Sequence, residues 1–168
     1  MNVLIKQARI VAPHSGHHGR LADIFIENGI IREISDTITV ENAEIIAAEN
    51  LHVSTGWMDV FADFADTGFE QNETIFTGAA SAAAGGFTDV MVIPNTNPVV
   101  SAKAQVEYVL KKSAGLAVNI YPIGAVTQNT QGSQLAEMYD MQHSGCIAFS
   151  DGIHALQDPG IILKALQY

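Results

Sequence analysis

From residue 56 onward, short apolar runs alternate with helix-like segments, and this alternation constrains the fold more than any other feature. Strands that alternate with helices are typical of βα units, whose strands lie parallel in one sheet. The sequence predicts strands at residues 58–62, 88–93, 118–123 and 147–149, and helices at 74–84, 101–112 (with Ser101 as N-cap), 133–144 and Pro159 to Tyr168. Residues 56–168 are therefore predicted to form an α/β domain of about four βα units.

Residues 1–55 contain only strand-like segments and turns, which predicts a separate small β module. Asn28-Gly29 lies between two apolar runs, and this dipeptide is typical of a two-residue β-hairpin. Strands are predicted at residues 3–5, 8–11, 22–26 and 30–34, with weaker candidates at 45–48 and 52–53. The predicted domain boundaries are 1–55 and 56–168.

Composition limits the partners and the compartment. Hydrophobic residues make up 48% of the chain, so a core can form, and the formal net charge is −10. Nucleic acid and anionic membranes are excluded as expected partners, because phosphate binding requires clustered Lys and Arg. The sequence shows no signal peptide and no apolar run long enough for a membrane span, which predicts a cytoplasmic protein. The single cysteine, Cys146, lies in an apolar run and is predicted to be a buried structural thiol.

Four stretches carry motifs whose order and spacing belong together. They are Gly-Trp-Met-Asp-Val-Phe-Ala-Asp-Phe-Ala-Asp-Thr-Gly-Phe-Glu at 56–70, Glu-Thr-Ile through Ala-Gly-Gly-Phe-Thr at 73–88, Ile-Pro-Asn-Thr-Asn-Pro at 93–98, and Pro-Ile-Gly-Ala-Val-Thr through Ala-Phe-Ser-Asp-Gly at 122–152. Together they resemble the class I dihydroorotases. The resemblance implies a partial TIM-like (β/α) amidohydrolase barrel, preceded by a small β-sandwich module. It also implies a place in pyrimidine biosynthesis, where family members cyclise carbamoyl aspartate to dihydroorotate.

The resemblance fails at the residues that carry the family's chemistry. The first barrel strand of the family ends Asp-x-His-x-His-x-Arg, and its two histidines hold zinc, which activates a water molecule. Phe61 and Asp63 occupy the histidine positions here, and Ala65 replaces the arginine that binds the substrate carboxylate. Phe61 has no ligand atom, and Asp63 could supply one oxygen. No cofactor is therefore expected, and no residue is assigned a catalytic role.

Two further positions match site residues of the family, and each has two interpretations. Asn95 matches an asparagine that contacts substrate, but Asn-Thr-Asn-Pro is also a good turn sequence. Asp151 lies where the family places a metal-bridging carboxylate. The family often has two aspartates in this segment and the chain has one, so Asp151 is either that ligand or a residue that ends a strand before a turn. The remaining family ligands would lie beyond Tyr168.

Two other clusters could bind cations weakly. His14, His17 and His18 lie in a Gly-rich turn and form either an adventitious metal site or a solvated loop. Asp59, Asp63 and the neighbouring Asp66 form an acidic run that could bind a hard cation or could be a solvated strand end.

These observations leave two functional hypotheses. The first is a non-catalytic dihydroorotase-like protein, since some family members without metal ligands are structural partners of aspartate transcarbamoylase. The alternative is an active cyclic amidohydrolase whose altered metal site uses Asp63, Asp151 and residues outside this chain. The last helix is still apolar and periodic at Tyr168, so a longer native chain or a homo-oligomer is expected.

Overall fold

A tight hairpin organises the first part of the chain. In the computed structural model, which describes residues 1–168, Asn28 and Gly29 have φ angles of 51° and 79° and join two antiparallel strands. Positive φ at both central residues is what a type I′ turn requires, and Asn and Gly adopt it at low cost. The strands of this unit, Met1–Thr55, are β1 (Asn2–Val11), β2 (Leu21–Glu27), β3 (Ile30–Ser35), β4 (Glu44–Ile46) and β5 (His52–Ser54).

Strand β1 is continuous where the sequence predicts two strands. It pairs antiparallel with β2 and parallel with both β4 and β5. The five strands form one sheet in the order β3-β2-β1-β4, with β5 also paired to β1. Within residues 1–55 the β module is therefore a single five-stranded sheet.

A buried aspartate explains why β1 continues through an irregularity. The register of β1 shifts between Ile5 and Ala8, and Gln7 there has a φ of 48°. The Asp23 carboxylate, fully buried, accepts hydrogen bonds from the Gln7 N–H at 2.8 Å, the Ile38 N–H at 2.9 Å and Lys6 Nζ at 2.6 Å. It thereby satisfies backbone groups that a regular ladder would have paired.

The second unit, Gly56–Tyr168, alternates strands and helices as the sequence predicts. Its strands lie parallel in the order β6-β7-β8-β9, which is also their order along the chain. They are β6 (Trp57–Ala62), β7 (Phe87–Val92), β8 (Asn119–Gly124) and β9 (Ala148–Phe149), and the helices are α1 (Ile75–Ala84), α2 (Lys103–Ser113), α3 (Met138–His143) and α4 (Pro159–Gln167). This half-barrel sheet of βα units confirms the predicted α/β class.

Two apolar clusters join these elements. The first packs α1 and α2 against β7 and β8 and consists of Ile75, Ala79, Val90, Val92, Val109, Val118 and Ile120. The second lies around α3 and includes Val100, Val106, Val126, Ala136, Met138, Met141 and Cys146. Because the helices bury one side of the sheet, the strand ends and the loops after them remain available for a site.

The helix predicted at 133–144 is wrong in its first half. Only Met138–His143 is helical, because the preceding segment pairs with the loop after β8. Gln128 N–H bonds to the Gln134 carbonyl at 2.8 Å, and Ala136 N–H bonds to the Val126 carbonyl at 2.9 Å. Ser101 also differs from its predicted role, since α2 begins after Ala102 without a side-chain cap.

Neither unit contains a helix that is both long and apolar enough to cross a lipid bilayer.

Candidate functional site

The carboxyl ends of β6 to β9 bring the predicted site residues to one edge of the parallel sheet. Asp63 follows β6, Asn95 follows β7 and Asp151 follows β9, while the loop after β8 carries Thr127, which the sequence did not predict as a site residue. In parallel α/β folds this edge is where ligands and catalytic groups lie. The contacts of each residue decide whether this edge can perform the family's chemistry.

The end of β6 presents few groups that could act on a substrate. The Phe61 side chain is 51% exposed and has no ligand atom, and its N–H donates to Asp59 Oδ1 at 2.9 Å. Asp63 Oδ1 accepts the N–H of Ala65 at 2.9 Å, and this bond holds Ala65 in a conformation with a φ of 55°. The Ala65 methyl group is buried and offers no donor for a substrate carboxylate.

Asp63 lies in an acidic cleft that we define by Asp59, Asp63, Glu73 and Ser81. The cleft has a volume of about 220 Å³, and residues of α1, β6 and β7 line it without any Lys, Arg or His. Three carboxylates around one cleft favour a cation over an anion. This cleft therefore cannot replace the lost arginine as a binding site for a carboxylate.

Asp66, the third member of the acidic run, has a different environment and is not a solvated strand end. It is 4% exposed, and its oxygens accept Lys112 Nζ at 2.7 and 2.9 Å, the Ile75 N–H at 3.1 Å and the Tyr108 hydroxyl at 3.1 Å. Burial alone would raise the pKa of Asp66, but the hydrogen bonds and the charge of Lys112 lower it. Asp66 therefore stays ionised and ties the loop after β6 to α1 and α2.

Asn95 bridges two loops and is not confined to a local turn. Its Nδ2 donates to the Asp151 carbonyl at 3.1 Å, and its Oδ1 accepts the Ile153 N–H at 3.1 Å. Both ends of the amide are thus engaged with the loop after β9. The structure shows neither a purely local turn role for Asn95 nor an amide with both ends free for substrate.

Asp151 is 3% exposed, and both of its oxygens bond to Thr127. Oδ1 accepts the Thr127 N–H at 2.9 Å, and Oδ2 accepts the Thr127 hydroxyl in a short hydrogen bond. Thr127 Oγ1 in turn accepts the Gly132 N–H at 2.9 Å. Thr127 is the site residue that sequence reasoning missed; only its place in the Gly-Ala-Val-Thr motif marks it.

The donor set at this edge does not fit a zinc ion. Two imidazoles have been replaced by an aromatic ring and by one carboxylate, Asp63, and the Asp151 carboxylate is committed to Thr127. Nowhere in residues 1–168 do three or more His, Cys, Asp or Glu side chains form a group that could hold a metal ion. Zinc prefers imidazole and thiolate ligands in closed tetrahedral sites, and this edge supplies neither.

The remaining candidates also lie outside any metal-binding group. His18 Nδ1 bonds to the Ala12 N–H at 3.2 Å, and His17 Nδ1 lies 3.1 Å from the Arg20 guanidinium. The Nδ1 atom of each of these two rings therefore already has a partner. Cys146 is 3% exposed, and its thiol lies 3.0 Å from the Gly124 N–H and from the Ala148 carbonyl. Burial raises the pKa of this thiol, so the thiol is a weak nucleophile near neutral pH.

Comparisons with known proteins agree with the fold and with the motifs. A family model described as "Dihydro-orotase-like" matches residues 52–168. The chain is 38% identical over 170 residues to a dihydroorotase of Trichlorobacter lovleyi, a match that covers 100% of this chain and 40% of the relative. It is 40% identical over 170 residues to a dihydroorotase of Pelotomaculum thermopropionicum, covering 100% of this chain and 39% of the relative. The chain thus spans about two fifths of the length of these curated relatives.

Solved structures show the same fold at low sequence identity. An L-hydantoinase (dihydropyrimidinase) from Arthrobacter aurescens superimposes with a TM-score of 0.75 at 20% identity, covering 98% of this chain and 37% of the hydantoinase. A crystal structure of a dihydroorotase superimposes with a TM-score of 0.58 at 12% identity, covering 88% of this chain and 41% of the enzyme. The family model, the order of the motifs and the half-barrel sheet agree, and the chain belongs to the dihydroorotase-like family.

Proposed function

We propose that this chain is part of a dihydroorotase-like protein of pyrimidine biosynthesis that does not itself catalyse the cyclisation of carbamoyl aspartate. One observation carries the proposal: the groups at the carboxyl edge are either chemically unable to bind zinc or already bonded to the protein. Phe61 has no ligand atom, and both oxygens of Asp151 bond to Thr127.

The loss of the substrate arginine supports the same conclusion independently. A chain that had only exchanged its metal would still need a cation for the substrate carboxylates. Ala65 supplies none, and the cleft beside it is lined by Asp59, Asp63 and Glu73. A dicarboxylate substrate would be repelled from this part of the edge.

We further propose that the protein acts as a structural partner of aspartate transcarbamoylase. The support is the family membership together with the absence of the catalytic groups, since catalytically silent members of the family are known as such partners. The test is co-purification of the full-length protein with the transcarbamoylase, followed by sedimentation of the mixture at micromolar concentrations. Separate sedimentation of the two proteins would contradict the partnership.

The experiment on catalysis compares the full-length protein with a triple variant, Phe61→His, Asp63→His and Ala65→Arg. We expect the unmodified protein to hold far less than one zinc ion per chain after exposure to zinc and dialysis, and to hydrolyse no dihydroorotate. The triple variant should gain zinc, since Phe61→His and Asp63→His return the two imidazole ligands, while Ala65→Arg returns the group that binds the substrate carboxylate. Stoichiometric zinc and dihydroorotate hydrolysis in the unmodified protein would refute the proposal.

The acidic cleft supports a second candidate, an active cyclic amidohydrolase with an altered metal site. Asp59, Asp63 and Glu73 could contribute to a site for a hard cation that residues beyond 168 complete. Zinc would then be the wrong probe, so the dialysis is repeated with Mg²⁺ and Mn²⁺. A bound hard cation that is lost in Asp63→Asn would favour this candidate.

A further inference from the structure

Three loops at the carboxyl edge are joined by a continuous set of hydrogen bonds. The loop after β7 contributes Asn95, the loop after β8 contributes Thr127 and Gly132, and the loop after β9 contributes Asp151 and Ile153. The bonds span 24, 56 and 58 residues of sequence, so each connects separate βα units.

Asp151 is at the centre of these bonds. It accepts hydrogen bonds from Asn95 and Thr127, and the third bond joins Asn95 to Ile153, two residues after Asp151. The carboxylate of Asp151 accepts both polar groups of Thr127, and its carbonyl accepts the amide of Asn95. The Asp151 side chain is buried, so losing Thr127 would leave its carboxyl oxygens without these two hydrogen-bond donors. The folded arrangement of these loops therefore depends on the contact between Asp151 and Thr127.

The Asn95 side is equally constrained, because its amide occupies space that any side chain at position 152 would need. Gly152 has a φ of 63°, and a Cβ atom built on it would lie 1.7 Å from Asn95 Oδ1. The close approach lets the Asn95 amide reach the Asp151 carbonyl and the Ile153 N–H at the same time. A shift of the loop after β9 must therefore displace the Asn95 bonds as well.

We propose that Asn95, Thr127 and Asp151 form a latch that couples the three loops, so that weakening it at Asn95 also weakens it at Thr127. Asn95 and Thr127 share no hydrogen bond, so any coupling between them passes through Asp151. Hydrogen bonds in one connected network reinforce each other, whereas independent contacts do not, and the bonds here range from buried at Thr127 to partly buried or exposed at Asn95. The latch exists whether or not the full-length protein is catalytic, and Asn95 and Thr127 are positioning residues in it.

The latch joins loops by hydrogen bonds in the way that a metal ion joins its ligands. In a metal site one cation draws several loops together, and here Thr127 takes both oxygens of Asp151 and Asn95 takes the adjoining backbone.

The test is site-resolved amide hydrogen exchange of the full-length protein by NMR. Asn95→Ala removes both amide bonds, and Thr127→Val removes the hydroxyl while it keeps the shape and the backbone N–H. We expect Asn95→Ala to speed exchange of the Ile153 amide about tenfold, the loss of one neutral hydrogen bond. Coupling predicts a several-fold increase at the Thr127 and Gly132 amides too. Thr127→Val should likewise speed exchange at Ile153, where it removes no bond.

Two controls separate the latch from general destabilisation. Asn97→Ala, an exposed residue of the same loop, should leave all three amides unchanged. The Ile120 amide within β8 reports global unfolding and should stay protected in every variant. If Asn95→Ala does not fold, Asn95→Ser makes the same comparison.

The double variant gives the decisive result. Coupling predicts that Asn95→Ala with Thr127→Val speeds exchange by less than the product of the two single effects. Two outcomes would overturn the latch. In the first, Asn95→Ala affects only the Ile153 amide and Thr127→Val affects only the Thr127 and Gly132 amides. In the second, the effect of the double variant equals the product of the two single effects. An unchanged pattern in EDTA supports a latch that needs no ion, and loss of protection in EDTA counts against it.

Discussion

Gly152 shows how a single position can depend on the absence of a side chain. Its positive φ of 63° is one reason for glycine, and the Asn95 amide that fills the Cβ position is the second. Gly115 shares only the first reason, since its φ is 80° and nothing lies within 4 Å of its Cβ position. The two glycines therefore separate backbone strain from loss of the Asn95 contact.

We predict that Gly152→Ala destabilises the protein more than Gly115→Ala. A left-handed alanine costs about 1 kcal/mol, which both variants carry. Displacing Asn95 adds the loss of its two hydrogen bonds, one partly buried and one exposed, so the cost at position 152 should reach about 2 to 3 kcal/mol. Urea unfolding of both variants measures the difference, and equal losses would mean that Asn95 moves aside freely.

At this scale the sequence predicts which residues meet but not what they do there. Motif order indicates that Asn95 and Asp151 reach the same edge, because each follows a parallel strand. Their partners lie 24 to 58 residues away and include backbone groups, which no local pattern reveals. Thr127 could have been found only by asking which groups donate hydrogen bonds to the buried carboxyl group of Asp151.

Among the secondary-structure elements, β1 depends on one buried carboxylate, Asp23. Burial alone would raise the pKa of Asp23, but bonds from Lys6, Ile38 and Gln7 outweigh it and hold the pKa well below its usual range. A lowered pKa means that the folded state binds the proton more weakly than the unfolded state. The stability from Asp23 is therefore present above the ordinary pKa of 3.8 and is lost as the pH falls below it.

We predict that Asp23→Asn lowers the free energy of unfolding of the first unit by about 3 kcal/mol at pH 7, because Lys6 loses its buried partner. The difference from the wild type should shrink as the pH falls below about 4. Urea unfolding followed through NMR signals of residues 1–55 gives the measurement.

Asp36→Asn is the matched control, since the Asp36 side chain is 88% exposed in its bond with Arg20. Its cost should stay within about 0.5 kcal/mol at every pH. A pH-independent effect of Asp23→Asn would show that packing, and not charge, holds the irregular part of β1.

At the boundaries of secondary-structure elements, tertiary pairing can override the local sequence pattern. Pro159 begins α4 as predicted, with Asp158 as its N-cap, because these preferences act within one turn. The segment before Met138 has a helical composition, yet Ala136 bonds to Val126 in an extended pairing. Such pairing depends on where β8 ends in space, which local composition does not encode.

At the scale of the whole molecule, the sheet of the second unit has an edge at β6 where no further strand is paired. β6 is the terminal strand in the order β6-β7-β8-β9, and its exposed apolar side chains are Trp57 (63%), Met58 (48%), Val60 (59%) and Phe61 (51%). An apolar terminal strand is a template for pairing with another chain. The α/β class could be predicted from the alternation of elements, and four βα units predict an open sheet edge, but which side chains β6 exposes there is known only from the strand order and burial.

We predict that the 168-residue polypeptide self-associates through β6 at concentrations of roughly tens of micromolar. Val60→Lys should shift the protein several-fold toward monomer, because a charged side chain on a terminal strand opposes pairing. Sedimentation equilibrium measures the shift. Tyr139→Lys, which changes an exposed residue on α3, should have no effect, and equal effects of both variants would exclude β6 as the contact.

The agreement between strand order and chain order has a consequence for biosynthesis. Each strand of the second unit from β7 to β9 pairs with the strand made just before it. The unit can therefore assemble during translation, one βα step at a time, as domains that fold from their N-terminal end do. Only the latch across the loops after β7, β8 and β9 must wait, since Asp151 leaves the ribosome last among its members.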